Sequence, residues 1–279
     1  MSAGTNSRAA RWAVNGLLTG GAVLTLLPLL WMLSVSFMQP GEASHYPPPL
    51  LPARATLANY RDLFERGGMG GYLLNSFLIA GTITVLSLAF NLSAGYAFAK
   101  LRFAGRDRLF QLVLAALLVP LQVAMIPLFL LMKWLHLVNS YGGVIAPALA
   151  TALGIYLVRQ YARSIPDDLI EAARIDGAGE WTIFLFIVLP LLKPMIATLA
   201  VLTFLASWND FMWPLIVLSD QARQTAPVGL ASLAVSREHV QDYEFMMAGS
   251  VVTVLPVLLL FLVLQRQYLQ GLLLGSVKG

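Results

Sequence analysis

The chain alternates between long apolar runs and short polar interruptions, and the lengths of the runs set the architecture. Apolar stretches fall at roughly 12–38, 72–99, 109–132, 138–158, 194–218 and 246–264. A helix needs about 20 apolar residues to cross a hydrocarbon core of ~30 Å, so each run is a candidate span. The ambiguous region is Trp181 to Leu218. As a single helix it would be about 57 Å long, nearly twice the bilayer core. It must therefore divide. Pro190 and Pro194, with Lys193 between them, mark the break, because each proline removes a backbone donor and clashes with the preceding turn. The part before the break is expected to lie along the membrane surface and the part after it to span.

Composition turns this pattern into a class. A length of 279 residues would suit one or two soluble domains, but 58% of them are hydrophobic and the mean hydropathy is +0.74. The reading is an all-α, polytopic membrane protein with six transmembrane helices. The first run follows Arg8 and Arg11, exceeds a signal-peptide core, and has no small-x-small site before Gln39; a retained signal anchor is expected. There is no cysteine, which excludes disulfides and thiolate metal sites. His45, His136 and His239 lie far apart in sequence, so no metal site is predicted.

Charge decides the orientation. With six spans and both ends inside, the cytoplasmic segments hold twelve of the Lys and Arg residues: Arg8, Arg11, Lys100, Arg102, Arg106, Arg108, Arg159, Arg163, Arg174, Lys193, Arg266 and Lys278. The outer segments hold six: Arg54, Arg61, Arg66, Lys133, Arg223 and Arg237. The excess favours a cytoplasmic segment 1–11, a transmembrane domain 12–264 and a cytoplasmic tail 265–279. "KLRFAGRDR" at 100–108 contributes most. Residues 39–71 read as an extended outer stretch followed by a short helix, and 219–245 as a second large outer segment.

The longest cytoplasmic loop, 159–193, breaks the apolar pattern. Eight charged residues lie in the 22 positions from Arg159 to Glu180, in a chain that is 11% charged. Ser164 and Asp167 have capping-box spacing, Pro166 suits a first turn, and Asp167 and Asp168 complement a helix N-terminus. Gly177 and Gly179 end that helix and allow a second, amphipathic one to start near Glu180. Ala172 and Ala173 leave one side narrow enough for a groove on another protein. A solvated connector between two spans accounts for the same residues equally well.

The order Glu171-Ala172-Ala173, three residues, Gly177, nine residues, Ile187-Val188-Leu189-Pro190 resembles the EAA loop of permease subunits of bacterial ATP-binding cassette (ABC) importers. "IDGA", "NSFLIA" (75–80), "AGYAFAKLRFAGRD" (94–107), "SWNDFMWPLIVL" (207–218) and "QRQYLQGLLLGSVKG" at the C-terminus resemble its carbohydrate branch, with the smaller subunit of maltose-type permeases nearest. The tail departs from that branch at Leu272 and Leu273.

The resemblance implies a multi-pass inner-membrane subunit that imports a sugar, an oligosaccharide such as maltose, maltodextrin or trehalose. It implies a coupling helix carrying Glu171, Ala172, Ala173, Asp176 and Gly177, and a tail in which Gln270, Gly271 and Lys278 meet the ATPase. The implied partners are a second, heterodimeric permease, two cytoplasmic ATPase subunits and an extracytoplasmic sugar-binding protein, with membrane lipid around them and no nucleic acid. The chain has no G-x-x-x-x-G-K-[S/T], so it is read as binding no cofactor and catalysing nothing; ATP and Mg²⁺ belong to the separate ATPase. Polar residues within spans are costly, which makes Asn75, Asn91, Asn209 and Asp210, with Trp208, Phe211 and Trp213 alongside, candidates for the substrate pathway. Glycerol-3-phosphate or another small polar solute is the alternative cargo. A stand-alone carrier or channel would need charged pairs within the spans, and these are nearly absent.

Overall fold

The computed structural model describes residues 3–236 and 242–274, with side chains within 10–235 and 242–263. Helix is the only regular structure among them. Three helices exceed thirty residues: α1 (Ala3–Ser36), α3 (Met69–Lys100) and α14 (Tyr243–Leu274). A continuous helix closes its backbone hydrogen bonds within one segment, which is what lipid demands. The shorter helices are α2 (Ala58–Glu65), α4 (Arg106–Ala116), α5 (Leu121–Trp134), α6 (Tyr141–Ile145) and α7 (Ala152–Ala162). Then come α8 (Asp167–Ile175), α9 (Glu180–Thr182), a π-helical turn (Ile183–Val188), α10 (Leu189–Leu191), α11 (Lys193–Trp208), α12 (Met212–Val217) and α13 (Ala226–Ser236).

Among the described residues, four helical stretches are long and apolar enough to cross a membrane: Ala10–Ser36, Met69–Lys100, Tyr141–Ala162 and Tyr243–Val263. Two bent pairs, Arg106–Ala116 with Leu121–Trp134 and Glu180–Leu191 with Lys193–Trp208, bring the count to the predicted six if each pair is one span.

The interruptions are where the sequence reading needs correction. The run 109–132 is not one straight helix: its halves meet at 106°. Pro120 stands at the N-cap of α5, supplies no N–H, and disfavours helical backbone at the residue before it. The 79° bend after α10 falls at Leu192, between Pro190 and Pro194 as predicted. The run 194–218 then ends early, with α11 stopping at Trp208 and α12 a separate piece. Asp210 Oδ1 accepts the Trp213 amide at 3.4 Å, which starts the new helix instead of continuing the old one. The segment 219–245 contains α13, and the run 246–264 is the middle of the longer α14.

The chain forms two compact units, residues 1–70 with 230–256 and residues 71–229 with 257–279. In the first, Asn59 Nδ2 donates to the carbonyls of Ser36 at 3.0 Å and Met38 at 2.8 Å, fastening α2 to the end of α1. Fully buried Glu244 accepts the Ala43 amide at 2.6 Å.

The second unit has two apolar cores. One gathers Tyr96, Val158, Ile170, Ile183, Phe184 and Val188 under the charged loop. The other gathers Ile79, Met125, Val144, Trp213 and Val217. Asn75 ties this unit together: Nδ2 donates to the carbonyls of Ala222 and Gln224, and Oδ1 accepts from Tyr141, at 2.9, 2.9 and 2.7 Å.

Candidate functional site

The charged loop folds as α8, a glycine turn and α9. The expected Ser164–Asp167 capping box does not form. Ser164 Oγ donates back to the Tyr161 carbonyl at 2.7 Å, and α8 starts only at Asp167, with Pro166 at its N-cap. Pro166 holds Ile165 out of helical backbone, so the helix cannot begin early enough for Ser164 to cap it.

The predicted glycine turn does form, at Gly177 with φ +83°. Ala178 N–H donates to the Ala173 carbonyl at 2.9 Å and Gly177 N–H to that of Arg174 at 3.0 Å. That pair of bonds is a Schellman motif, whose left-handed position favours glycine.

Successive residues on α8 divide cleanly between two faces. Ile170, 2% exposed, enters the core between α7 and the π-turn, and Ala173 packs beside it. Asp168, Leu169, Glu171, Ala172 and Ile175 point away and are exposed, Ile175 by 86%. Glu171 makes no hydrogen bond or ion pair among the described residues. The outward face is therefore free to meet something else, and the inward face fixes its position.

Residues that sequence reasoning missed hold the loop rigid. The buried Lys100 ammonium donates to Asp167 Oδ1 at 2.5 Å and to the Ile165 carbonyl at 2.6 Å. This bond holds the Asp167 carboxyl below its usual range. At the other end Arg174 Nε pairs with Glu180 Oε1 at 2.8 Å across the turn, and Tyr96 Oη donates to Glu180 Oε2 at 3.1 Å. The bond to Glu180 pushes the Arg174 pKa further up. The available sequence signal was opposite charge six residues apart across a glycine. Tyr96 and Lys100 gave none, because their partners lie 84 and 67 positions away.

The residues predicted for a substrate pathway are not all brought together. Asn91 is 0% exposed and bonded on both sides of its amide: Nδ2 donates to Ser87 Oγ (2.8 Å) and Thr151 Oγ1 (3.1 Å), and Oδ1 accepts the Thr151 amide (3.0 Å). It locks α3 to the start of α7, where Gly154 is required because a Cβ would collide with the Asn91 amide. Trp208 is 1% exposed, edge-on to Phe77 at 4.7 Å and stacked on Phe204 at 5.7 Å. Asn209 is exposed. Asp210 and Trp213 do line a common cavity of about 520 Å³, with Thr151, Thr203 and Ser207 as its other polar walls and Ile83, Met125, Leu157 and Leu199 among its apolar ones. Gln270 and Gly271 fall on α14, but the Gln270 side chain, and Lys278 entirely, lie outside the described residues.

Residues 91–270 match the family described as binding-protein-dependent transport system inner membrane component. The chain is 41% identical over 261 residues to the arabinooligosaccharides transport system permease protein AraQ of Halalkalibacterium halodurans, covering 92% of this chain and 93% of that one. It is 34% identical over 258 residues to the sn-glycerol-3-phosphate transport system permease protein UgpE of Pectobacterium atrosepticum, covering 90% and 92%. Among solved structures, a bacterial ABC transporter that imports the acidic polysaccharide alginate has a similar chain, with TM-score 0.82 and 24% identity over 94% of this chain and 98% of that one.

The family match and these relatives define the class, the membrane-embedded permease subunit of an ABC importer. The chain belongs to the binding-protein-dependent transport system inner membrane component family. It is a transport subunit, not an enzyme.

Proposed function

We propose that this chain forms part of the translocation pathway of an importer for a neutral oligosaccharide and transmits ATPase motion through α8. The observation that carries the reading is the division of α8 into two faces. Its inner side is wedged into the core by Ile170 and pinned at both ends by Lys100–Asp167 and Arg174–Glu180. Its outer side, with Glu171, Ala172 and Ile175, is exposed, and no side-chain hydrogen bond or ion pair engages it among the described residues. Such an element passes a push on its outer face to α7 and α11 with little lost in local bending, which is how a rigid element couples two sites.

The partner on that face is a cytoplasmic ATPase, two copies of which hydrolyse MgATP. A second, homologous permease completes the pathway, and a binding protein delivers the sugar from outside. In this reading both termini are cytoplasmic.

A neutral cargo follows from the cavity. Asp210 is the one ionisable residue among its walls. No Lys or Arg is among its described walls to hold phosphate or uronate, while Asp210, Thr151, Thr203 and Ser207 offer oxygens that suit hydroxyl groups. Arabino-oligosaccharides, maltodextrins and trehalose therefore rank ahead of glycerol-3-phosphate. The test is uptake of each labelled compound into cells with and without this chain, alongside binding-protein-stimulated ATPase activity in reconstituted vesicles. Chain-dependent uptake of a neutral oligosaccharide is expected. Chain-dependent uptake of glycerol-3-phosphate alone would overturn the substrate reading, and ATPase activity indifferent to the chain would overturn the coupling reading.

A further inference from the structure

At the end of the second unit that carries α8, the junction between α3 and α4 forms a hollow of about 570 Å³ lined by Arg102, Phe103, Gly105, Arg106, Asp107 and Arg108. The permease role gives this hollow no task. Its charges are unevenly spent. Arg106 is committed, with Nε on Asp107 Oδ1 and Nη1 on the Leu101 carbonyl, both at 3.2 Å. Arg102 and Arg108 make no hydrogen bond or ion pair among the described residues. Behind them Arg159 lies over the Phe110 ring at 3.8 Å, within electrostatic reach of Arg106 and Arg163. Asp107 is thus the one acid lining the hollow beside three arginines, and the acid outside it within electrostatic reach of Arg102 is Asp167, which Lys100 already engages.

We propose that this hollow binds the phosphate of an anionic phospholipid headgroup. Guanidinium groups match phosphate oxygens in geometry as well as charge. Basic hollows between membrane helices are suited to acidic headgroups. The junction joins the end of one span, at Lys100, to the start of a bent pair, at Arg106, which places it at a membrane face. An apolar strip distinguishes a lipid from free phosphate. Arg108, Leu109 and Leu112 share the outward side of α4, and Leu109 and Leu112 are 48% and 66% exposed, so acyl chains can run along the helix from a headgroup held in the hollow. Free phosphate would have no use for that strip.

The experiment uses the purified full chain in neutral detergent and needs no ATPase, sugar or transport, so its failure is separable from failure of the importer reading. Phosphatidylglycerol, phosphatidylcholine with the same acyl chains, and inorganic phosphate are titrated in turn. Melting temperature and lipids retained in native mass spectrometry are the readouts. Saturable stabilisation by phosphatidylglycerol, at least tenfold tighter than by phosphatidylcholine and not displaced by millimolar inorganic phosphate, is expected. The Arg102→Gln/Arg108→Gln pair should weaken it by about fivefold per arginine, or about 25-fold together, while melting in phosphatidylcholine stays at the wild-type value. Arg66→Gln, remote in sequence, should change nothing. Equal affinity for the two lipids, saturation by inorganic phosphate alone, or wild-type phosphatidylglycerol affinity in the double variant would each overturn the proposal.

Discussion

Asn91 and Glu171 are both polar residues in an apolar chain, and both drew attention in the sequence, yet their environments are opposite. Asn91 is fully buried, with every bond directed at its own helices. Glu171 is exposed and has no bond among the described residues. A polar group within a span is tolerated where it is satisfied, and satisfaction by Thr151 and Ser87 makes Asn91 a lock between helices. A charge held on a rigid protrusion that spends none of its bonding at home is available to a partner. The polarity of Asn91 serves construction, and that of Glu171 is left for the proposed communication with a partner.

Substitutions on the two sides of this contrast should fail differently. Glu171→Lys keeps helix propensity, so insertion and melting should match the wild type. It reverses a charge at the proposed interface, where losing a partner costs on the order of 2–5 kcal/mol, about 30- to 4,000-fold in association. Uptake should collapse in a protein that purifies normally. Wild-type uptake and wild-type ATPase stoichiometry would remove Glu171 from the interface.

Asn91→Leu should do the reverse. It removes three hydrogen bonds at roughly 0.6–1.5 kcal/mol each, about 2–4.5 kcal/mol in all, and takes away the partner of the Thr151 amide. Lower melting temperature and lower folded yield are expected. If the variant melts normally but loses transport, Asn91 belongs to the substrate pathway after all.

Gly177→Val forces a β-branched residue to φ +83° and breaks the Schellman turn. Strain of this kind costs on the order of 1–3 kcal/mol. Because it falls at the turn and not in the core, a partial loss of uptake should accompany a small drop in melting temperature. Equal uptake to the wild type would show that the turn need not be fixed.

The smallest effect concerns acid. Lys100 holds the folded Asp167 carboxyl below the ordinary value of about 4. A depressed carboxylate stabilises the fold at pH values above its unfolded pKa, and that contribution is lost as pH falls through the folded pKa. Asp167→Asn should therefore melt slightly below the wild type at pH 7, with the gap closing toward pH 3. The exposed side of this pair keeps the gap small. A gap independent of pH would show that the Lys100–Asp167 charge interaction contributes nothing.

The sequence was most legible where one physical rule dominated. Apolar run length gave the number of candidate spans, and Pro190 with Pro194 located the bend at Leu192. Glycine at 177 located the turn. It was least legible where two rules competed. Pro120 sits inside an apolar run, and the run length concealed a 106° break. Asp210 looked like cargo chemistry while also ending α11. Ser164 had the spacing of a cap, but Pro166 delayed the helix past it. Long-range partnerships such as Lys100 with Asp167 and Tyr96 with Glu180 leave no local pattern, so the residues that hold the loop rigid were invisible until the fold brought them together.

The coupling role of α8 is tested most directly by covering its outer face. The chain has no cysteine, so Ala172→Cys supplies one thiol at an exposed position on that face. A maleimide should label it rapidly in the isolated permease and slowly once the ATPase subunits are bound, with labelling changing again between the ATP-free and ATP-bound transporter. Equal labelling rates in the isolated chain, the assembled complex and both nucleotide states would contradict the account.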